Sequence, residues 1–101
     1  MVISGTELQN ITATNLTIGD ATNGDITVEG ITGANTINIT GLTTLNANNT
    51  GASINFSSTA SIFTNALTLN ANFGVTMNVS LTVGGAIVLD SDSDNNGAGD
   101  F

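Results

Sequence analysis

The segment Leu45-Asn46-Ala47-Asn48 recurs further along the chain as Leu69-Asn70-Ala71-Asn72. After a short loop, each copy is followed by a strand-like triplet, Ile54-Asn55-Phe56 in the first case and Met77-Asn78-Val79 in the second. Because strand side chains alternate between two faces, the Leu and Ala of each copy point to one face and the Asn residues point to the other. Self-similarity at a period of roughly 20 to 50 residues is typical of solenoids and repeat arrays.

A shorter pattern fills the first half of the chain: an isoleucine, three residues, Gly or Asn, Ile or Leu, and then Thr. It begins at Ile11, Ile26 and Ile37. The pattern predicts a strand, a sharp bend and a second strand, because Gly and Asn best tolerate the left-handed backbone that a bend requires. The residues predicted to face inward are Ile26, Val28, Ile37, Ile39, Ile54, Leu67, Leu69, Val79 and Leu89.

These repeats predict an all-β fold, a parallel β-solenoid (β-helix) of roughly four coils, with residues 1–101 forming a single domain or segment. The composition agrees, because seventeen Thr favour strands while fifteen Asn and twelve Gly favour turns. Four Phe and no Trp or Tyr suit a narrow core of stacked aliphatic side chains.

The alternative fold is a β-sandwich of pilin type, whose strands also recur every ~8 to 12 residues. In that fold the N-terminal strand, residues 2–17, would complete a neighbouring subunit by adding to an exposed sheet edge. The repeats favour the solenoid because they share residue identity as well as spacing.

The charge of the chain excludes several functions. It has no Lys, Arg or His and eight acidic residues, which give a formal net charge of -8. We therefore expect no nucleic-acid partner, since no cation can neutralise phosphates, and no attraction to anionic lipid headgroups. No apolar stretch approaches the ~18 residues of a membrane helix, so we expect no membrane insertion. Without His or Cys there is no nucleophile–base pair of the usual kinds, and we expect no enzymatic activity.

An acidic stretch near the C-terminus is the sharpest local signal. Alternating carboxylates in a loop suit calcium, which takes roughly six to eight oxygen ligands. The stretch opens like a calcium loop, but Phe101 stands where the twelfth position would supply a bidentate Glu. The other interpretation is a solvated acidic turn that keeps the protein soluble, and both stay open. The predicted calcium ligands are Asp90, Asp92, Asp94, Asn96 and Asp100.

Several segments resemble the repeats of filamentous haemagglutinin-type exoproteins, which are large secreted bacterial adhesins. They are residues 43–48 (TTLNAN), 66–71 (ALTLNA) and 81–90 (LTVGGAIVLD), and residues 90–101 resemble an acidic turn of such repeats. The resemblance implies a β-helical shaft that is extracellular or at the cell surface, with a structural or adhesive role. Its implied partners are other copies of the chain or flanking β-helical repeats, and a host or cell-surface receptor or glycan.

Together these features predict a structural component of an extracellular fibre or adhesin shaft. Repeat proteins normally need polar caps at their ends, and the sequence shows no convincing cap. Open strand edges would then let the chain associate end to end. The alternatives are a pilin-like filament subunit that donates a strand and an ice- or carbohydrate-binding solenoid. For ice binding, only Thr12-Ala13-Thr14 supplies the regular Thr-x-Thr motif.

Overall fold

The computed structural model describes residues 1–97, 99 and 101, and it is a parallel β-solenoid of four coils. All strand pairs between the described strands are parallel, which confirms the solenoid and excludes the antiparallel sandwich. The molecule measures 36 × 25 × 23 Å along its principal axes. The strands are β1 (Val2–Ser4), β2 (Leu16–Ile18), β3 (Ile26–Glu29), β4 (Leu42–Ala47), β5 (Ser53–Ser57), β6 (Ser61–Phe63), β7 (Ala66–Ala71), β8 (Gly74–Met77), β9 (Leu81–Val83) and β10 (Ile87–Asp90).

Each coil contributes one element to each of three faces. The first face is the sheet β1-β3-β5-β8, and the second is the sheet β2-β4-β7-β10. The third face begins with two one-turn helices, α1 (Gly5–Leu8) and α2 (Gly33–Thr36), and continues as the strand pair β6-β9. Helices and strands thus occupy equivalent positions on one face of the same solenoid.

The spacing of the repeated Leu-Asn-Ala-Asn segments matches the spacing of the coils that contain them. Leu45 pairs with Leu69, so β4 and β7 are offset by the spacing of the repeated segment. Other coils differ in length, because Ile26 pairs with Ile54 across a longer coil, and Leu67 pairs with Ile87 across a shorter one. The loops at the corners absorb these differences while the strands keep their register.

The core consists of inward side chains stacked from coil to coil. Among the predicted inward residues, six are buried: Ile26, Val28, Ile39, Ile54, Leu67 and Leu69. Val79 and Leu89 are partly buried and pack against that core in the last coil. Their neighbours include Phe56 and Phe63, which are the largest fully buried side chains.

The prediction for Ile37 is wrong, since 58% of its surface is exposed. The pattern that begins at Ile37 predicts a strand, but Ile37 is the C-terminal cap of α2 and has helical backbone angles. The one-turn helix rotates the chain, so that Ile37 points outward and Ile39 returns to the core.

Side-chain hydrogen bonds define the start of each helix. In α1 the backbone N and Oγ of Ser4 donate to Glu7 Oε2 at 2.8 and 3.0 Å. In α2 the backbone N and Oγ1 of Thr32 donate to Asn35 Oδ1 at 2.7 and 2.8 Å. Polar groups at these N-termini are therefore satisfied locally, as in capping boxes.

Within the described residues no helix has the length and apolar character to cross a membrane.

Candidate functional site

The predicted calcium ligands lie in a turn that follows the last strand. Asp92 accepts hydrogen bonds from the backbone N of Asn96, at 3.1 Å to Oδ1, and of Gly97, at 2.9 Å to Oδ2. Asp94 Oδ1 accepts from the same Asn96 nitrogen at 3.3 Å, and its Oδ2 accepts from Asn96 Nδ2 at 2.7 Å. Asp90 Oδ1 accepts from the backbone N of Asp92 at 3.2 Å. These carboxylates therefore organise the turn itself.

The pKa of Asp94 is held below its ordinary value. The first cause is a hydrogen bond from the Asn72 side chain, and the backbone N of Asn96 adds to it. Asn72 is buried, and its Oδ1 accepts from the backbone N of Gly51 at 2.8 Å. One buried amide thus ties the acidic turn to the corner of the preceding coil.

The structure brings Asp92, Asp94 and Asn96 together, and Asp90 accepts a hydrogen bond from the backbone N of Asp92. Within residues 1–97, 99 and 101, no three acidic side chains converge on one point. The predicted ligand Asp100 lies outside the described residues. The calcium site stays a prediction, and a calorimetric calcium titration would test it.

The C-terminal end of the solenoid exposes the core side chains of the last coil. β8 and β10 are the last strands of their sheets. Ile87 occupies an inward position opposite Leu67, yet it is 49% exposed. Val75 of this coil is buried. The remaining inward residues are only partly buried: Met77, Val79, Leu81, Val83 and Leu89. A further coil placed here would cover an apolar surface and an open strand edge.

The N-terminal end is covered more fully. Ile3 and Leu8 of the first coil are buried, and Leu8 belongs to the one-turn helix α1. Ile11, Leu16 and Ile18 are partly buried against the core. β1 and β2 are the first strands of their sheets, so this end also presents two strand edges.

A groove of about 450 Å³ lies at β8, the last strand of the first sheet. It is lined by β8 together with Ser53, Phe73 and Phe101. Phe73 and Phe101 are 51% and 68% exposed. The groove therefore combines aromatic walls with an edge strand, a combination that suits an added β-strand.

The outer surface of the second sheet carries polar ladders. Thr17, Thr44 and Thr68 are in register on successive strands, with Val88 in the same column on β10. In the adjacent column, Asn70 Nδ2 donates to Asn46 Oδ1 at 2.8 Å. A column of hydroxyl groups beside a column of amides could offer regularly spaced hydrogen bonds to a flat ligand.

Sequence reasoning did not identify which threonines share a column or which core residues of the last coil stay uncovered. The three threonines are separated by unequal stretches of chain, so no constant period links them. In the last coil, Val75 and Met77 align with Ile54 and Phe56, whereas the sequence repeat aligned Met77 with Ile54. Only the asparagine pair gave a readable signal, because it lies in the repeated Leu-Asn-Ala-Asn segment.

No protein-family model matches the chain, and no curated protein or solved structure is significantly similar to it. The resemblance to filamentous haemagglutinin-type repeats therefore stays a prediction from the sequence.

Proposed function

We propose that this protein is a structural segment of an extracellular fibre or adhesin shaft and that it associates end to end with other copies or with flanking β-helical repeats. The observation that carries this proposal is the uncovered last coil, where inward residues such as Ile87 and Leu89 remain exposed or only partly buried. Burying an aliphatic side chain is worth about 1.5–3 kcal/mol, so covering this coil would stabilise an assembly.

The open strand edges support the same proposal. An edge strand presents a row of backbone N–H and C=O groups that can pair with another chain. Natural proteins often protect such edges with lysine or proline, and this chain contains neither. Both ends of both large sheets are therefore suited to continued pairing.

The interior of the solenoid suits a stiff shaft. Every buried side-chain polar atom of the described residues has a hydrogen-bond partner. Thr36, for example, donates from Oγ1 to Thr64 Oγ1 at 3.3 Å and accepts from the Thr64 backbone N at 3.0 Å, which links two coils inside the third face. Satisfied internal polar groups of this kind hold coils in one arrangement.

Electron microscopy of the purified chain, across a range of concentrations, tests end-to-end association. We expect fibres or short rods of uniform width whose length increases with concentration. Uniform single particles at all concentrations would contradict self-association.

The extracellular location requires a separate test on native material. We expect an antibody against the folded chain to label intact cells or shed fibres without permeabilisation. Labelling that depends on permeabilisation would contradict an exposed shaft. The proposed role without enzymatic activity rests on the composition, which lacks His, Cys, Lys and Arg.

The ladder of Thr17, Thr44 and Thr68 favours a second candidate, an ice- or carbohydrate-binding solenoid. Regularly spaced hydroxyls on a flat sheet can bind an ordered array of oxygen atoms. A freezing-hysteresis assay tests ice binding, and titration with neutral polysaccharides tests the carbohydrate. Thr44→Glu should remove either activity, while Thr76→Glu, on the outer surface of the first sheet, should not.

A further inference from the structure

We infer that a second copy of this chain docks head to tail on the C-terminal end, adding its β1 to β8 and its β2 to β10. This inference rests on the end-to-end association proposed above and specifies its direction and register. The groove beside β8 would then receive the segment Val2–Ser4 of the next copy.

Both ends of the solenoid present the same core columns. Strand register places Ile3 and Met77 at the two ends of one column, with Val28 and Phe56 between them. Ile18 and Leu89 end a second column in the same way. Stacking one copy on the next in the same direction therefore continues apolar columns with apolar residues.

A third column gives the same match on the second sheet. It runs from Leu16 through Thr43 and Leu67 to Ile87. Ile87 is the half-exposed end of this column, and Leu16 of the next copy would cover it. The two sheets would thus meet the next copy in one common register.

Strand direction also favours a head-to-tail junction. A head-to-tail junction keeps every new strand pair parallel, as are the strand pairs inside the molecule. A symmetric contact between two C-terminal ends would instead require antiparallel pairs, since a two-fold axis reverses one copy. The internal geometry of the solenoid therefore favours the head-to-tail arrangement.

The distribution of charge disfavours a contact between like ends. A contact between two C-terminal ends would bring two sets of Asp90, Asp92 and Asp94 to one interface, and no Lys, Arg or His is present to offset them. A head-to-tail contact brings only one such set, facing the N-terminal coil with its Glu7 and Asp20. Because like charges in close proximity repel each other even in water, the head-to-tail junction costs less.

The third face is a helical turn at the N-terminal end and a strand at the C-terminal end, so its two ends do not match. α1 would meet β9 there, so this face adds packing but no strand ladder. The fold already joins a helical turn to a strand on this face, because α2 packs against β6. The junction would consequently be held by the two large sheets.

Disulfide trapping tests the direction and register, and it is unambiguous because the chain has no Cys. Val2, Thr27, Asn55 and Thr76 form one outward column, so Val2 of the next copy would lie opposite Thr76. Neighbouring strands lie about 4.7–4.9 Å apart, which is within the ~4.4–6.8 Å that a disulfide spans between Cα atoms. We expect oxidised V2C/T76C to form a ladder of dimers, trimers and larger species on a non-reducing gel.

Matched controls separate this junction from others. V2C/N78C moves one cysteine two positions out of register, to a diagonal distance of about 7–8 Å, and should cross-link several-fold less. T76C alone would give efficient dimers only if two C-terminal ends met. T17C/V88C, in the outward column of the second sheet, should give the same ladder as V2C/T76C. It provides an independent test if the V2C/T76C variant does not fold.

Sedimentation of the unmodified chain distinguishes the two levels of the proposal. If the unmodified chain forms oligomers but T76C alone cross-links efficiently, the proposed direction is wrong. If it forms oligomers but V2C/T76C and V2C/N78C cross-link equally, the proposed register is wrong. In both cases end-to-end association would still stand. A chain that remains monomeric at all concentrations would overturn both. Oligomers together with the in-register ladders alone would establish the head-to-tail junction.

Discussion

Asn70 donates its side-chain amide to Oδ1 of Asn46, at 2.8 Å, between equivalent positions of successive coils. The pair is partly buried and belongs to strands β4 and β7, whose sequences repeat. On the other side of Asn70, in the last coil, lies Asp90. The column thus begins as an amide ladder and ends in a carboxylate.

Replacing Asn70 tests how much this ladder stabilises the fold. Asn70→Ala removes one hydrogen bond and should lower the free energy of unfolding by about 0.5–1.5 kcal/mol. Asn70→Asp should cost more, because a carboxylate cannot donate to Asn46 and repels Asp90 on the neighbouring strand. Urea unfolding measures both. Thr76→Ala, at an exposed position, is the control, and an Asn70→Asp variant as stable as the wild type would contradict the ladder.

Gly19 and Gly24 lie near the same corner and should respond differently to alanine. Gly19 has a φ of +86°, and an added Cβ would collide with the backbone oxygen of Asn46. Gly19→Ala should therefore destabilise the protein by more than the ~1–2 kcal/mol of the left-handed conformation alone. Gly24 has open space around it, so Gly24→Ala should be neutral or stabilise by up to about 1 kcal/mol. Thermal unfolding of the two variants checks this, and equal losses would contradict the assignment.

The sequence predicted the fold most accurately where two coils share residues. The repeat at Leu45 and Leu69 set the strand register correctly, because identical side chains stack on each other in a parallel ladder. Gly30 was correctly predicted as a bend, and it has a φ of +60°. Both features could be predicted because they depend on residue identity, which the sequence shows directly.

The sequence did not predict the helical turn α2 or which side chains the last coil leaves exposed. The helical turn at α2 arises from hydrogen bonds between Thr32 and Asn35, and these displaced Ile37 from its predicted core position. The exposure of Ile87 follows from its place in the last coil, since its equivalent, Leu67, is fully buried. Residue type alone cannot distinguish these two positions.

Ile39 and Thr40 offer a direct test of which side chains face inward. Ile39 is 1% exposed, whereas Thr40 is exposed and is held by a backbone hydrogen bond to Ala13. Ile39→Asp should abolish folding, because a buried carboxylate is costly and the chain has no cationic side chain to pair with it. Thr40→Asp should fold normally. Circular dichroism distinguishes the two, and equal tolerance would contradict the register of this coil.

Asn72 should control the protonation of Asp94. Its hydrogen bond is the first cause of the lowered pKa of Asp94, so Asn72→Ala should raise that pKa toward the ordinary value of an aspartate. Asp20 provides an internal control, because its pKa is lowered by the backbone N and then by the hydroxyl of Thr22, which the substitution leaves in place. An NMR titration of the carboxyl carbons measures both groups in one experiment.

The direction of the resulting pH dependence follows from linkage. A carboxyl group whose pKa is lower in the folded state contributes stability above its unfolded pKa, and this is lost as the pH falls through the folded pKa. Acidification from about pH 5 downward should therefore remove the stability that Asp94 contributes in the wild type. The loss of stability over the same pH range should be smaller in Asn72→Ala. Denaturant unfolding at several pH values checks the stability, and the NMR titration checks its cause. An unchanged pKa of Asp94 in the variant would show that Asn72 does not hold the acidic turn.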